Sequence, residues 1–334
     1  MSVFDDVIGH RRVLGLLRRE AAAPAGAYLF VGAASVGKAT VARRFAALLL
    51  CPEGGDHAGE CRSCRLAAAG THPDLITVEA SGRSVGVDQA RETIERATLR
   101  PVESVRKVFL FEEAGAMTEQ AANALLKTLE EPTATTVFLL VAESETDLPL
   151  TVASRCRTVH FGRVEDSELE AALIARGVEG DRAAALARVA GGRPGLALTL
   201  AGSESVAEFR EAWLRLPQRV SSRPGEAFLL ADEMIALADT LVPEGVDAKE
   251  KRRARLALLA TGLEIAASWY VDAAAVAFGG EVRNQDVPLA DLASVPPRKA
   301  VRNAELLLEA VTDLAANLRP QPLLARLFVE LAAD

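Results

Sequence analysis

Short apolar runs alternate with amphipathic stretches over the first 161 residues of the chain. The apolar runs have the length of buried strands, and the amphipathic stretches repeat apolar residues every three or four positions. The predicted strands are residues 27–31, 75–79, 106–111, 136–141 and 158–161. The predicted helices are residues 8–22, 41–50, 87–100, 118–131 and 150–154, while residues 51–73 are predicted to be irregular. Strands that alternate with helices predict a parallel sheet with helices on both faces.

The strand signals stop beyond about residue 163, and helical patterns fill the rest of the chain. Residues 165–201 contain three short helical runs that glycine-rich breaks separate, and longer helices follow. We therefore predict one α/β domain and two all-helical domains after it. Their expected bounds are residues 1–162 for the α/β domain, 163–203 for a small helical domain and 204–334 for an all-α domain.

Composition limits the class of protein. Half of the 334 residues are hydrophobic, enough for two or three domains with substantial cores. No run approaches the roughly 18 uncharged apolar residues of a membrane span, and the N-terminus lacks the features of a signal peptide. We therefore expect a cytoplasmic protein with no membrane contact. The net charge of −8 argues against holding DNA through bulk charge, although a local basic face in an assembly is compatible with it.

A glycine-rich loop separates the first predicted strand from the next helix. Its sequence is Gly32-Ala33-Ala34-Ser35-Val36-Gly37-Lys38-Ala39-Thr40. Glycines let backbone N–H groups turn towards phosphates, the helix N-terminus adds a favourable field, and Lys38 would supply a point charge. The pattern G-x-x-x-x-G-K-[ST] places a Mg²⁺-binding hydroxyl after the lysine, but Ala39 stands there and Thr40 comes one position late. The loop is a working ATPase site, a scaffold kept for its shape, or an ordinary strand–turn–helix connection.

Glu112 and Glu113 follow the third predicted strand. In ATPases with this kind of sheet, an acidic pair at a strand end holds Mg²⁺ and polarises the attacking water. The usual first residue is aspartate, and the extra methylene of Glu112 would misplace the contact to the metal. The pair is therefore a poor Mg²⁺ site, and two solvated carboxylates in a loop are the alternative interpretation.

Three of the four cysteines lie close together in the sequence. Cys61 and Cys64 form a C-x-x-C pair, Cys51 lies ten residues before it, and His57 is the nearest candidate for a fourth ligand. Three cysteines and one histidine in a loop-rich stretch suit tetrahedral structural zinc. The alternatives are reduced thiols without a metal or a redox pair, although redox pairs of the thioredoxin kind begin a helix after a strand.

Arg155 stands between the short helix and the fifth predicted strand. An isolated arginine in this place is usually a surface residue. In a ring of ATPases, however, an arginine just before the last strand points at the neighbour's nucleotide, where it stabilises the charge that develops in phosphoryl transfer.

Together these stretches resemble one protein family. The matching segments are residues 32–38, the three cysteines with residues 70–74, residues 107–113, Asn123 to Pro132 (Asn-Ala-Leu-Leu-Lys-Thr-Leu-Glu-Glu-Pro) and Ser154-Arg155-Cys156. In this order they resemble the bacterial clamp-loader subunits of DNA polymerase III, which are AAA+ proteins. The resemblance is specific over residues 1–161. It is weaker beyond them, where residues 317–327 look like the last helix of the family's oligomerisation collar.

The resemblance implies an AAA+ domain with a parallel sheet, a helical lid and an all-α collar. It also implies a zinc module inserted at about residues 51–73. The family usually has four cysteines there, and the missing one falls at Ala58. Either His57 takes over the coordination or the site is weakened or lost.

Two classes within the family differ in their chemistry. The gamma/tau class is a motor that hydrolyses ATP, whereas the delta-prime class usually hydrolyses poorly or not at all and serves as the stator of the ring. The motor's residues are replaced here at Ala39, at Glu112, at the sensor-1 position (Ala142 or Glu143) and at the sensor-2 position (Gly195, near Arg193). Because these hydrolysis residues are replaced while Arg155, which would serve the neighbouring subunit, is kept, the resemblance favours the delta-prime class.

The resemblance implies a hydrolysis-deficient, delta-prime-like stator that helps load the sliding clamp onto primed DNA within the DNA polymerase III holoenzyme. Its implied partners are gamma/tau and delta subunits in a pentamer, the sliding clamp and, through the assembly, primer–template DNA. Arg155 would serve the ATP site of the adjacent motor subunit. The implied cofactor of this chain is Zn²⁺, and its own binding of ATP or ADP is expected to be weak or absent. The alternatives are a gamma/tau-like subunit that hydrolyses ATP itself, and a nucleotide-binding switch without efficient hydrolysis.

Overall fold

A computed structural model describes most of the chain. The described residues are 2–55, 57, 61–80, 84–202, 205–242, 245, 248–284, 286–315 and 319–333, without the side chains of residues 249, 250 and 315. Ala58 and residues 317–318, on which two expectations depend, lie outside them. The described chain forms two compact units. The first reaches Gly177 and includes Gly191–Leu196, and the second comprises Val178–Ala190 and the chain from Ala197 onwards.

Five parallel strands form the sheet of the first unit. They are β1 (Ala27–Val31), β2 (Leu75–Thr77), β3 (Lys107–Phe111), β4 (Thr136–Ala142) and β5 (Arg157–His160). Their order across the sheet is β2-β3-β4-β1-β5, so β1 lies between β4 and β5. The five predicted strands are confirmed, with ends that differ by two residues at most. Continuous apolar runs mark β1, β3 and β4 because both faces of these strands are buried, whereas the edge strand β5 is largely exposed.

In the part of the first unit that the structure describes, there are seven α-helices. They are α1 (Arg11–Glu20), α2 (Lys38–Leu50), α3 (Arg62–Ala68), α4 (Val87–Thr98), α5 (Glu119–Glu130), α6 (Leu150–Ala153) and α7 (Asp166–Ile174). Successive residues of β1 point to opposite faces. Tyr28 and Phe30 join one apolar cluster with Phe45, whereas Leu29 joins another with Phe109. The predicted α/β class with a parallel sheet is therefore confirmed.

Helix α3 corrects the expectation that residues 51–73 are irregular. The Cys61 sulfur accepts a hydrogen bond from the Cys64 N–H at 3.4 Å and so caps the first turn. Gly70, with φ of 68°, follows shortly after the helix ends. The prediction failed because α3, with 7 residues, is too short to show a helical repeat in the sequence. In addition, its N-cap is a sulfur atom, whereas common N-caps supply an oxygen atom.

The second unit is helical in the part of it that the structure describes. Its helices are α8 (Gly180–Ala190), α9 (Pro194–Ala201, which begins in the first unit), α10 (Val206–Leu214), α11 (Leu216–Arg219), α12 (Pro224–Thr240), α13 (Ala248–Ala277), α14 (Leu289–Leu292), α15 (Pro297–Ala315) and α16 (Pro320–Ala332). The predicted helical remainder is confirmed. The three-domain division stays a prediction.

Helix α13 forms the centre of the second unit, where it packs against α10, α12 and α15. Gly262 permits this packing, because a Cβ there would lie 2.0 Å from the Trp213 ring. The stretch Lys251–Ala277 is long and apolar enough to cross a membrane by length and composition alone. However, 67% of its most apolar window is buried, as expected of a core helix.

Candidate functional site

The sheet separates the candidate residues into two groups. The ends of parallel strands meet at one edge, so the loop after β1, Glu112 after β3 and Glu143 after β4 all lie at the carboxyl edge. Arg155 precedes β5 and therefore lies at the opposite, amino edge. The sequence-predicted nucleotide residues and the predicted arginine finger are consequently not in one site of this chain.

Two glycines shape the loop after β1. Gly32 has φ of 152°, and a Cβ there would lie 2.3 Å from the Phe161 carbonyl oxygen. Gly37, with φ of 105°, is the N-cap of α2. A side chain at either position would strain the backbone. The loop therefore turns from strand to helix as the sequence predicts.

Lys38 lies inside this loop and is 7% exposed. Its Nζ atom donates hydrogen bonds of 2.6 Å to the carbonyl oxygens of Gly32 and Ala33. The ammonium group thus stabilises the loop's own carbonyl oxygens.

Ala39 and Thr40 occupy the second and third positions of α2. Successive helical residues point about 100° apart around the axis. The Thr40 hydroxyl therefore cannot replace one at position 39 without turning the helix, and Thr40 is exposed. The loop therefore has no correctly placed hydroxyl for Mg²⁺.

The acid at the end of β3 already has a cationic partner. Both carboxylate oxygens of Glu112 accept hydrogen bonds from the Arg43 guanidinium, which projects from α2. Hydrogen bonding to Glu112 raises the pKa of Arg43 despite partial desolvation. The Glu112 carboxylate is therefore bound to the Arg43 guanidinium and is not available to bind or orient a hydrated cation. Glu113, beside it, is half-buried.

The two positions assigned to sensors also touch the loop through their backbones. The Glu143 carbonyl accepts a hydrogen bond of 3.2 Å from the Gly32 N–H, while Glu143 itself is exposed. The Gly195 N–H donates to the Ser35 carbonyl at 2.9 Å. A Cβ at Gly195 would lie 3.0 Å from that oxygen, so the close approach favours glycine. The neighbouring Arg193 is buried.

Arg155 is held along one edge of its guanidinium. Its Nε and Nη2 atoms donate to Glu130 Oε2 at 3.1 and 3.0 Å, and its Nη1 atom donates to the Thr151 carbonyl at 2.8 Å. The side chain keeps 32% of its surface accessible.

The three cysteines and His57 come together as one cluster, with their ligand atoms within 4.8 Å of one another. Cys51 Sγ lies 3.9 Å from Cys61 Sγ and 3.1 Å from His57 Nε2, which is 4.0 Å from Cys64 Sγ. Tetrahedral zinc with Zn–S of about 2.3 Å requires sulfurs about 3.8 Å apart, so the cluster has suitable dimensions. Burial raises the pKa of the Cys64 thiol, and hydrogen bonds with Cys61 and Cys51 raise it further.

Sequence reasoning assigned no role to His72 and Asp74, although it singled out the segment that contains them. Asp74 is fully buried, and its carboxylate accepts backbone hydrogen bonds from Val102, Glu103 and Ser104 at 2.6–2.8 Å. The buried His72 accepts a hydrogen bond from the Asp74 N–H at 3.0 Å through Nδ1. The available signal in the sequence was Asp74 directly after Pro73, since an aspartate in such a place commonly accepts hydrogen bonds from the backbone of a turn.

A serine pair connects this network to the cysteine cluster. Ser63 and Ser104 both donate to the carbonyl of Leu50, the residue before Cys51, at 2.9 and 3.0 Å. The Ser63 hydroxyl also lies 3.0 Å from His72 Nε2. The cluster is therefore joined to the segments that flank β2 and β3.

The sheet and its glycine-rich loop define an α/β unit with a strand–loop–helix of the phosphate-binding type, and comparisons with known proteins narrow the class of protein. The family model described as "DNA polymerase III, delta subunit" matches residues 10–165. A DNA polymerase III subunit delta' of Pseudomonas aeruginosa is 44% identical over 136 residues, which cover 40% of this chain and 42% of that protein. A delta' subunit of Bacillus subtilis is 34% identical over 208 residues, or 62% of this chain and 63% of that protein.

The motor class is also represented among the relatives. A tau/gamma subunit of Haemophilus influenzae is 34% identical over 172 residues, which cover 50% of this chain and 25% of that protein. Residues 10–165, a little under half of the chain, match this family model, and the chain is similar to DNA polymerase III delta-prime subunits over the stretches that these relatives cover. It spans 42% and 63% of the length of the two delta' relatives.

Proposed function

We propose that this chain is a delta-prime-like stator of the DNA polymerase III clamp loader, which helps load the sliding clamp onto primed DNA. It hydrolyses ATP poorly or not at all and supplies Arg155 to the ATP site of the adjacent motor subunit. The observation that carries the proposal is the contrast between the two edges of the sheet. The acid at the carboxyl edge is bound by Arg43, whereas the arginine at the amino edge remains accessible.

Three features support a deficiency in hydrolysis. Ala39 offers no hydroxyl to Mg²⁺, Glu112 is paired with Arg43, and glycine occupies the sensor-2 position at Gly195. Phosphoryl transfer depends on positioned cations around the phosphates. A loop that retains Lys38 but lacks these groups can bind phosphates without completing the reaction.

The similarity to clamp-loader subunits also supports assembly of this chain with other subunits. We propose gamma/tau and delta subunits as partners in a pentamer, with primer–template DNA and the clamp reached through the assembly. The helices from α10 onwards would supply the oligomerisation collar. The similarity of half of this chain to a tau/gamma subunit supports this, because related units can pack side by side.

The cysteine cluster supports a structural zinc ion. Cys51, Cys61, Cys64 and His57 would supply four ligands, which is a closed coordination sphere without an open position for catalysis. Bound zinc would stabilise the thiolates and tie the end of α2 to α3. His57 then takes the place of the fourth cysteine of the family.

The test of the main proposal is a loader reconstituted from gamma/tau, delta and this chain. Mass measurement should find this chain in the complex, and Arg155→Ala should reduce the DNA-stimulated ATPase rate by about a hundredfold or more without dissociating it. The matched control is Arg157→Ala, because Arg157 is an exposed arginine two residues further on. An unchanged rate for Arg155→Ala would exclude the finger, and failure to join the complex would exclude the subunit.

A gamma/tau-like ATPase is the second candidate, and the intact Lys38 cradle favours it. It predicts ATP turnover by the isolated chain that Lys38→Ala abolishes. Calorimetry with ATP and ADP separates both candidates from a switch that binds nucleotide without hydrolysis. We expect weak or no binding and no turnover.

A further inference from the structure

Glu130 forms the main contact of Arg155, and the position of Glu130 at the end of a helix explains why this ion pair is favourable. Glu130 is the last residue of α5, where the helix dipole disfavours a negative charge. The Arg155 guanidinium offsets this cost. Glu130 itself remains exposed, with 58% of its side chain accessible, so burial does not explain the pair.

Counting donors shows which part of Arg155 remains available. A guanidinium carries five N–H groups, one on Nε and two on each Nη. The contacts to Glu130 and Thr151 use the Nε donor, one Nη2 donor and one Nη1 donor. Among the described residues, one donor therefore remains on each Nη atom. Two such donors are what a bidentate contact with a phosphate needs.

The backbone contact fixes the same orientation. Thr151 belongs to α6, and its carbonyl also accepts a hydrogen bond of 3.3 Å from the Ser154 hydroxyl. Its carbonyl accepts from Arg155 Nη1 and holds the side chain back over its own turn. Glu130 and Thr151 thus hold the guanidinium from α5 and α6, two elements that pack against each other in the first unit.

We propose that Glu130 is a positioning residue for Arg155. It binds the Nε edge of the guanidinium and leaves one donor on each Nη atom to meet the phosphates of a neighbouring subunit's nucleotide. The inference rests on the proposed function, because it needs an ATP site that Arg155 serves. In the alternative model, Glu130 sequesters Arg155, and the ion pair would have to break before Arg155 could act.

The experiment uses the same reconstituted loader with clamp and primed DNA. Glu130→Ala should lower kcat for ATP hydrolysis about three- to tenfold with KM little changed, because an ordered side chain becomes mobile. Glu130→Gln keeps an acceptor oxygen and should fall between wild type and Glu130→Ala. Glu131→Ala, which removes the adjacent exposed carboxylate, is the matched control and should leave kcat unchanged.

The double variant Arg155→Ala/Glu130→Ala decides whether Glu130 acts through Arg155. Its kcat should equal that of Arg155→Ala alone, whereas an independent structural role would make the two losses multiply. Multiplying losses, or a Glu130→Ala rate equal to or above wild type, would overturn the inference. If Arg155→Ala has no effect, the proposed function fails instead. Glu130→Gln keeps the test decisive if Glu130→Ala does not fold.

Discussion

Asp74 is a residue whose burial has a measurable consequence. Burial alone would raise its pKa, but three backbone N–H donors and the nearby His72 together hold the pKa below the ordinary value of a carboxyl. The carboxylate therefore favours the folded state while it is ionised. Asn would keep one acceptor oxygen but would place an N–H₂ group against backbone donors.

We predict that Asp74→Asn lowers the free energy of unfolding at pH 7 by about 1–3 kcal/mol. A lowered folded-state pKa gives stability that is present above the unfolded pKa of about 3.9 and lost as pH falls through the folded value. The difference between wild type and variant should therefore shrink between about pH 5 and pH 2 in urea unfolding. Asp88→Asn, at a 93% accessible side chain, is the control. A difference independent of pH would refute the role of the charge.

Single residues also mark how far the sequence could predict the site. The missing hydroxyl at Ala39 and the replacement at Glu112 were visible because a motif fixes their spacing. The Arg43–Glu112 pair was not, since 69 residues separate its members and only the fold brings them together. The same reason hid the contacts of Asp74 with Val102, Glu103 and Ser104.

At the scale of elements, the cysteine cluster unites the end of α2 with the start of α3. Cys51 follows α2, Cys61 caps α3, and Cys64 lies within α3. A bound metal should therefore stabilise this connection more than any single hydrogen bond in it.

We predict that the purified chain binds about one Zn²⁺, and that Co²⁺ in its place gives the visible absorption of a tetrahedral thiolate site. His57→Ala should weaken metal affinity at least about tenfold. Cys156→Ser is the control, because Cys156 is the cysteine outside the cluster. Equal affinity in His57→Ala, measured by competition with a chelator, would remove His57 from the ligand set.

Elements differ in how well the sequence predicts them. The strands were predicted closely because a run buried on both faces is apolar throughout, as in β1 and β3. Threonine is a common N-cap, and the Thr118 hydroxyl caps α5 by accepting a hydrogen bond from the Ala121 N–H. Helix α3 was missed because it has neither a long apolar pattern nor an N-cap residue with a side-chain oxygen.

At the scale of the whole molecule, charge predicts how the chain meets DNA. The net charge of −8 gives a repulsive average field towards phosphates. We predict that fluorescence anisotropy with primed DNA at about 150 mM salt shows no saturable binding by the chain alone at low micromolar concentration, whereas the reconstituted loader binds. Saturation by the isolated chain would contradict this and would indicate a basic face strong enough to act alone.

The unit boundaries illustrate a limit of the sequence at this scale. Helical patterns indicated a change of architecture near residue 163, but the first unit also includes Gly191–Leu196. That segment joins it through hydrogen bonds from Val164 to Gly192 and from Gly195 to Ser35. These contacts depend on close backbone approach at glycines, which periodicity does not record.

The placement of Arg155 and the glycine-rich loop at opposite edges of one parallel sheet gives the unit a direction. Under the proposed function, Arg155 acts from the amino edge on a nucleotide at the carboxyl edge of the next unit, so such units would stack head to tail. Every unit in a row then needs a neighbour on one side to complete its own site. A member whose carboxyl edge is already neutralised by Arg43 needs none, and it can therefore end the row. Under the proposed function, the ion pair would therefore mark a terminus of the assembly as well as an inactive loop.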